Sequence, residues 1–126
     1  MERRRVLALA TVSSLVLSMS LAVAPVSAGP PTEISVSPQF RDLFYCPGHA
    51  TDRAYWTVDL SGGTSGSYSV TVYYGDGSPG NWSAHTVPTY DTHHDFACGG
   101  HWYQQTWSAS RGGGGTGRYY TTVHAG

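Results

Sequence analysis

Wherever apolar residues form a pattern beyond residue 33, its period is two rather than 3.6. Ile34 and Val36 point one way in EISVS. Ala54, Trp56, Val58 and Leu60 share one face of RAYWTVDL, and Tyr68, Val70, Val72 and Tyr74 share one face of SYSVTVYY. WSAHTV (82–87), HWYQQTWSAS (101–110) and RYYTTVH (118–124) are further strands, rich in aromatic and β-branched residues. In the fifth of these segments Tyr103, Trp107 and Ala109 make the more apolar face, which leaves Trp102 outside. Gly- and Ser-rich turns separate the segments at 61–63, 75–80 and 99–100, and RGGGGTG (111–117) reads as a flexible hairpin loop. No segment after residue 28 supports a helix. The pattern predicts an all-β chain, a small antiparallel immunoglobulin-like β-sandwich of six to seven strands, with a small β-barrel as the alternative.

The chain starts Met-Glu-Arg-Arg-Arg and runs on through an apolar stretch, Val6 to Ala24, to Val26-Ser27-Ala28. This order predicts a secretory signal peptide over 1–28 and a single domain over 29–126. An uncleaved anchor is the alternative, and Sec and twin-arginine export both remain open. The low Lys content with abundant Gly and Ala points to a bacterial source, where the Asn81-Trp82-Ser83 sequon carries no glycan. Beyond residue 28 four arginines face seven carboxylates and there is no lysine. A domain with three negative charges in excess has no basic stripe for a phosphate backbone, so nucleic acid is not an expected partner. Once the signal is removed, neither is a membrane. Two cysteines in an exported chain most simply pair, so Cys46 and Cys98 are expected to form a disulfide.

One stretch has a more specific look. Tyr74-Gly75-Asp76-Gly77-Ser78 ends a strand with an aromatic residue and a Gly-Asp-Gly turn, and Gly100 with Trp102 or Tyr103 follows at the start of a later long strand. This arrangement resembles PKD-type immunoglobulin-like domains of secreted bacterial proteins. The resemblance implies a sandwich in which Gly75, Asp76 and Gly77 form a structural turn. The residues themselves favour the same role, because glycine adopts positive φ and an Asp carboxylate accepts N–H bonds within its own turn. A calcium site needs several converging oxygen ligands, and a phosphate loop needs a lysine.

His93, Asp95 and His101 are the first candidates for a metal, although His93 and His94 would point to opposite faces of a strand. No metal and no cofactor are expected, because the usual ligand spacing is missing. A hydrolase using His and Asp from 85–101 is the enzymatic alternative. No nucleophile elbow supports it, and the one Glu beyond residue 28, Glu33, lies at the domain edge. The aromatics are the remaining signal. All four Trp, nine Tyr and three Phe lie beyond residue 28. Trp56, Tyr68, Tyr74 and Trp107 are expected in the core, which leaves Tyr55, Tyr73, Trp82, Trp102 and Tyr120 as a candidate binding surface. The sequence thus points to a secreted, non-catalytic, adhesion-type module whose exposed aromatics contact an extracellular glycan or protein. A secreted enzyme inhibitor presenting loop 75–82 is the alternative.

Overall fold

The computed structural model describes residues 29–126; the predicted signal peptide, 1–28, lies outside them. Among the described residues the regular structure is all strand: β1 (Glu33–Ser37), β2 (Phe40–Asp42), β3 (Thr51–Ser61), β4 (Ser65–Tyr73), β5 (Asn81–His85), β6 (Thr89–Ala97), β7 (His101–Gly112) and β8 (Gly115–Ala125). They form two open sheets, β1-β3-β6 and β2-β8-β7-β4-β5, and not a closed barrel. This is an immunoglobulin-like sandwich whose leading strand divides between both sheets, with β1 in the first and β2 in the second. All neighbours are antiparallel except β2 and β8, which run parallel.

Two strands, β2 and β6, lie outside the six segments read from the sequence. β2 has only three residues, too few to show a period, and it owes its place to pairing with Thr122–His124 of β8. β6 covers the histidine stretch, whose inward positions carry Tyr90, Thr92 and His94 before Phe96, so its alternation is polar rather than apolar. The glycine-rich stretch also differs from expectation. β7 runs on to Gly112 and β8 begins at Gly115; the last pair is Arg111 with Gly115, and the Gly114 N–H donates to the Arg111 carbonyl, so the connection is a tight turn. β5, read from the sequence as 82–87, stops at His85, and Val87 stands exposed beyond it.

The inward faces follow the alternation. Ile34, Val36, Trp56, Val58, Leu60, Tyr68, Val70, Val72, Tyr74, Trp107 and Ala109 are all buried. β3 and β7 are the strands that an inter-sheet disulfide joins in antibody domains. Here they meet through Trp56 and Trp107, edge to face with ring centroids 5.3 Å apart. The disulfide sits at the end of the sandwich instead. Cys46–Cys98 ties the loop before β3 to the end of β6, next to the Thr51–Ala97 pair. At the same end the Tyr103 hydroxyl donates to the Ala97 carbonyl at 2.9 Å, a tyrosine corner that fixes the turn from β6 to β7.

A polar chain runs through the core. Trp107 Nε1 donates to Thr121 Oγ1, and Thr121 donates in turn to Gln105 Oε1, each at 2.8 Å. The Gln105 amide then donates to the carbonyls of Tyr74 and Tyr103. Gln105 and Thr121 are fully buried, and each of these groups has a partner.

Candidate functional site

Cross-strand partners project to the same side of a sheet. In the five-stranded sheet, Tyr73, Thr106 and Tyr120 therefore make one outward row across β4, β7 and β8. Trp82, Thr71, Ser108 and Arg118 make the row beside it, and Phe40, Thr122 and Gln104 the row on the other side. Asp42, His124 and Trp102 make a fourth. Five aromatics thus share one outer face: Phe40, Tyr73, Trp82, Trp102 and Tyr120, each 49–63% exposed. With strands about 4.8 Å apart, Tyr73 and Tyr120 stand roughly 10 Å apart across β7.

The face is held rather than loose. The Trp102 ring stacks on His124 with centroids 4.3 Å apart, and Phe40 lies 5.9 Å from it. His124 Nδ1 is 3.2 Å from Asp42 Oδ1. Between the rings stand hydroxyls and an amide, from Thr71, Thr106, Thr122, Ser108 and Gln104. Among the described residues its only charged groups are Arg118 and the Asp42–His124 pair.

Tyr55 is also exposed, but it lies on the outer face of the other sheet, where β3 places it beside His93 of β6. That face is acidic. Glu33, Asp59, Asp91 and Asp95 project from it, with Arg53 held in two hydrogen bonds by Asp95. The candidate surface read from the sequence therefore divides, with Tyr55 apart from the other four. Phe40 joins those four. Only its pairing with Thr122 reveals this, because a three-residue strand gives no facing signal of its own.

The metal candidates separate too. His93 and Asp95 project outward from β6, Asp95 engaged with Arg53, whereas His101 begins β7 in the other sheet. Among the described residues no three His, Cys, Asp or Glu side chains come together as a metal site.

The Gly-Asp-Gly turn joins β4 to β5 and is locked from both sheets. Gly75 has φ +84, and a Cβ there would run into the Gln104 carbonyl, so the position requires glycine. Asp76 Oδ1 accepts the Ser78 N–H at 3.1 Å and the Ser78 hydroxyl at 2.5 Å. Asp76 Oδ2 lies 2.8 Å from His94 Nε2, whose ring stacks on Tyr74 at 3.7 Å. Both carboxylate oxygens are thus used inside the protein. Burial pushes the Asp76 carboxyl up, but the hydrogen bonds from Ser78 and His94 outweigh it and bring the pKa to about 2. A carboxyl lowered in the folded state stabilises the fold above its ordinary pKa near 4. That stability disappears as pH falls through 2. We expect acid to remove about 2 kcal/mol between pH 4 and pH 2 through this group. Asp76→Asn should flatten that limb of the stability–pH curve in denaturant titrations, and an unchanged limb would show that the contact contributes nothing.

A cleft of about 180 Å³ opens between the edges of β5 and β6. In it Ser83 Oγ and His85 Nε2 are 2.7 Å apart, and His85 stacks on Tyr90 at 3.6 Å. Burial lowers the His85 pKa, favouring neutral imidazole, and pushes the Tyr90 hydroxyl up to about 12. Among the described residues the carboxylates paired with histidine are Asp76 with His94 and Asp42 with His124, so His85 lacks the third group that orients a general base.

Comparison with protein-family models, with curated proteins and with solved structures returned no match. The chain presents two outer sheet faces. They differ in kind: one face is flat, aromatic and nearly uncharged, and the other is acidic and ion-paired.

Proposed function

We propose that this protein is an exported, non-catalytic binding module that holds an extended, neutral glycan chain on the outer face of its five-stranded sheet. The observation that carries the reading is the placement of Phe40, Tyr73, Trp82, Trp102 and Tyr120 on one face, with Thr, Ser and Gln side chains between them. Sugar rings present apolar C–H faces to aromatic rings and hydroxyls to amide and hydroxyl partners, which is what this face offers. The spacing of Tyr73 and Tyr120 is comparable with the two-sugar repeat of an extended β-linked polysaccharide. A protein partner is the second reading, since aromatic anchors serve either. The near absence of charge on the face favours the glycan.

Export fits the predicted signal segment, and the disulfide suits an oxidising extracellular compartment. The resemblance to PKD-type domains of secreted bacterial proteins agrees with this setting and stays part of the proposal. Affinity electrophoresis against neutral β-glucans, mannans and xylans should show retardation. Trp102→Ala, Tyr120→Ala and Tyr73→Ala should each weaken it roughly tenfold, about 1.4 kcal/mol apiece. Tyr55→Ala, on the opposite face, should leave it unchanged. If no polymer retards the protein, or if retardation survives all three outer-face changes, the glycan reading fails.

A further inference from the structure

Constant-type immunoglobulin domains set four strands in the sheet that here, among the described residues, has β1, β3 and β6. The neighbour that differs is the one beyond β6. The sheet edges fall on β1, β2, β5 and β6, and β6, with nine residues, is the longest of them. Edge strands are commonly blunted by proline, lysine or a bulge. β6 contains neither proline nor lysine, and it pairs with β3 without a break from Thr89 to Ala97.

The direction of its backbone groups follows from the two hydrogen bonds that bracket this ladder. The Leu60 N–H donates to the Pro88 carbonyl, and the Cys98 N–H to the Ala50 carbonyl. Antiparallel pairs alternate between bonded and non-bonded positions, so the even-numbered residues from 88 to 98 bond to β3. The N–H and C=O groups of Asp91, His93 and Asp95 therefore point away from β3, toward an edge where no described strand pairs. Ala97 has the same phase, and its carbonyl accepts from the Tyr103 hydroxyl rather than from β3.

We infer that the β6 edge binds an extended basic peptide, which joins the sheet as its fourth strand. The peptide main chain pairs with Asp91, His93 and Asp95, as in other cases of strand addition. Its outward side chains come beside Asp91 and Asp95, with Glu33 and Asp59 on the same acidic face. Arg53 stands on this face too, but Asp95 already holds it. Lysine or arginine suits those outward positions. Inward side chains enter the cleft between β5 and β6, over Val72, Ser83, His85, Tyr90 and Thr92. At about 180 Å³ it accommodates small apolar side chains such as valine. β6 of a second copy would bring further carboxylates to an acidic face and is a poorer match. The site is separate from the aromatic face and does not depend on the glycan reading.

The test is an amide and indole NMR titration of the protein with a capped peptide of alternating Lys and Val. The amide signals of Asp91, His93 and Asp95 should shift saturably. The same peptide N-methylated at its lysine backbone nitrogens should leave them in place, because it loses the edge donors. Replacing its Lys by Glu should weaken binding about tenfold or more, since like charges then stand side by side. Asp91→Asn, which still accepts from the Thr57 hydroxyl, should weaken the Lys peptide roughly threefold. The peptide arms use the unaltered protein, so the inference stays decidable whatever the variant does. β6 amides that ignore the Lys peptide overturn the site, as does an equal response to the N-methylated or the Glu peptide. Shifts confined to the Trp82 and Trp102 indoles also overturn it, and would place the peptide on the aromatic face instead.

Discussion

Replacing Cys46 and Cys98 together by alanine is expected to destabilise the fold by about 4 kcal/mol, the chain-entropy value for a closed loop of this length. For a domain near 100 residues that corresponds to a fall in Tm of roughly 15–30 °C. The bond joins the loop before β3 to the end of β6, and only the loop is sparsely held. The loop from Leu43 to Ala50 is anchored by the Leu43 N–H to His124, by the Tyr45 N–H to Asp52 Oδ2 and by Ala50 accepting from Cys98. Beyond those bonds it shows Phe44 and Tyr45 largely exposed. Calorimetry of the double variant checks the number. A loss below about 1 kcal/mol would mean that the unfolded chain already keeps the two segments close, so that the link removes little entropy.

The second large effect lies in the buried polar chain. Thr121→Val preserves shape but removes the hydroxyl that accepts from Trp107 and donates to Gln105. It leaves an indole N–H and an amide oxygen buried without partners, and the expected cost is about 3 kcal/mol. Thr121→Ser keeps both bonds and loses one methyl, for about 1 kcal/mol. Urea unfolding of the pair separates the two contributions. Equal losses for Val and Ser would show that packing, rather than hydrogen bonding, is what Thr121 provides there.

Much of the framework was legible because its strands bury one face and solvate the other. β3, β4 and β7 declare themselves through Ala54-x-Trp56-x-Val58-x-Leu60, Val70-x-Val72 and Trp107-x-Ala109. The cysteine pairing was legible too, since two cysteines leave a single intramolecular choice. β6 was not, because its inward His94 is satisfied by Asp76 and stacked on Tyr74, two contacts made across the sandwich. Nothing local in His93-His94 says which imidazole faces in. The exposure of Trp82, Trp102, Tyr73 and Tyr120 follows from parity within each strand. Their convergence on one sheet depends on strand order, which parity does not encode, and the same gap hid the separation of Tyr55.

The parallel pairing of β2 with β8 sets when this protein can finish folding. β8, the last of the described strands in chain order, lies between β2 and β7, and β1 also packs against it. The earliest and latest parts of the domain are thus direct neighbours. Assembly is governed by contacts distant in sequence, which form slowly because a long loop must close before they yield any stabilisation. A growing chain that has produced seven strands still lacks an interior member of its larger sheet. It therefore cannot lock prematurely. That lateness suits the proposed export, since a chain still unable to close its sheet remains thin enough to be threaded across a membrane.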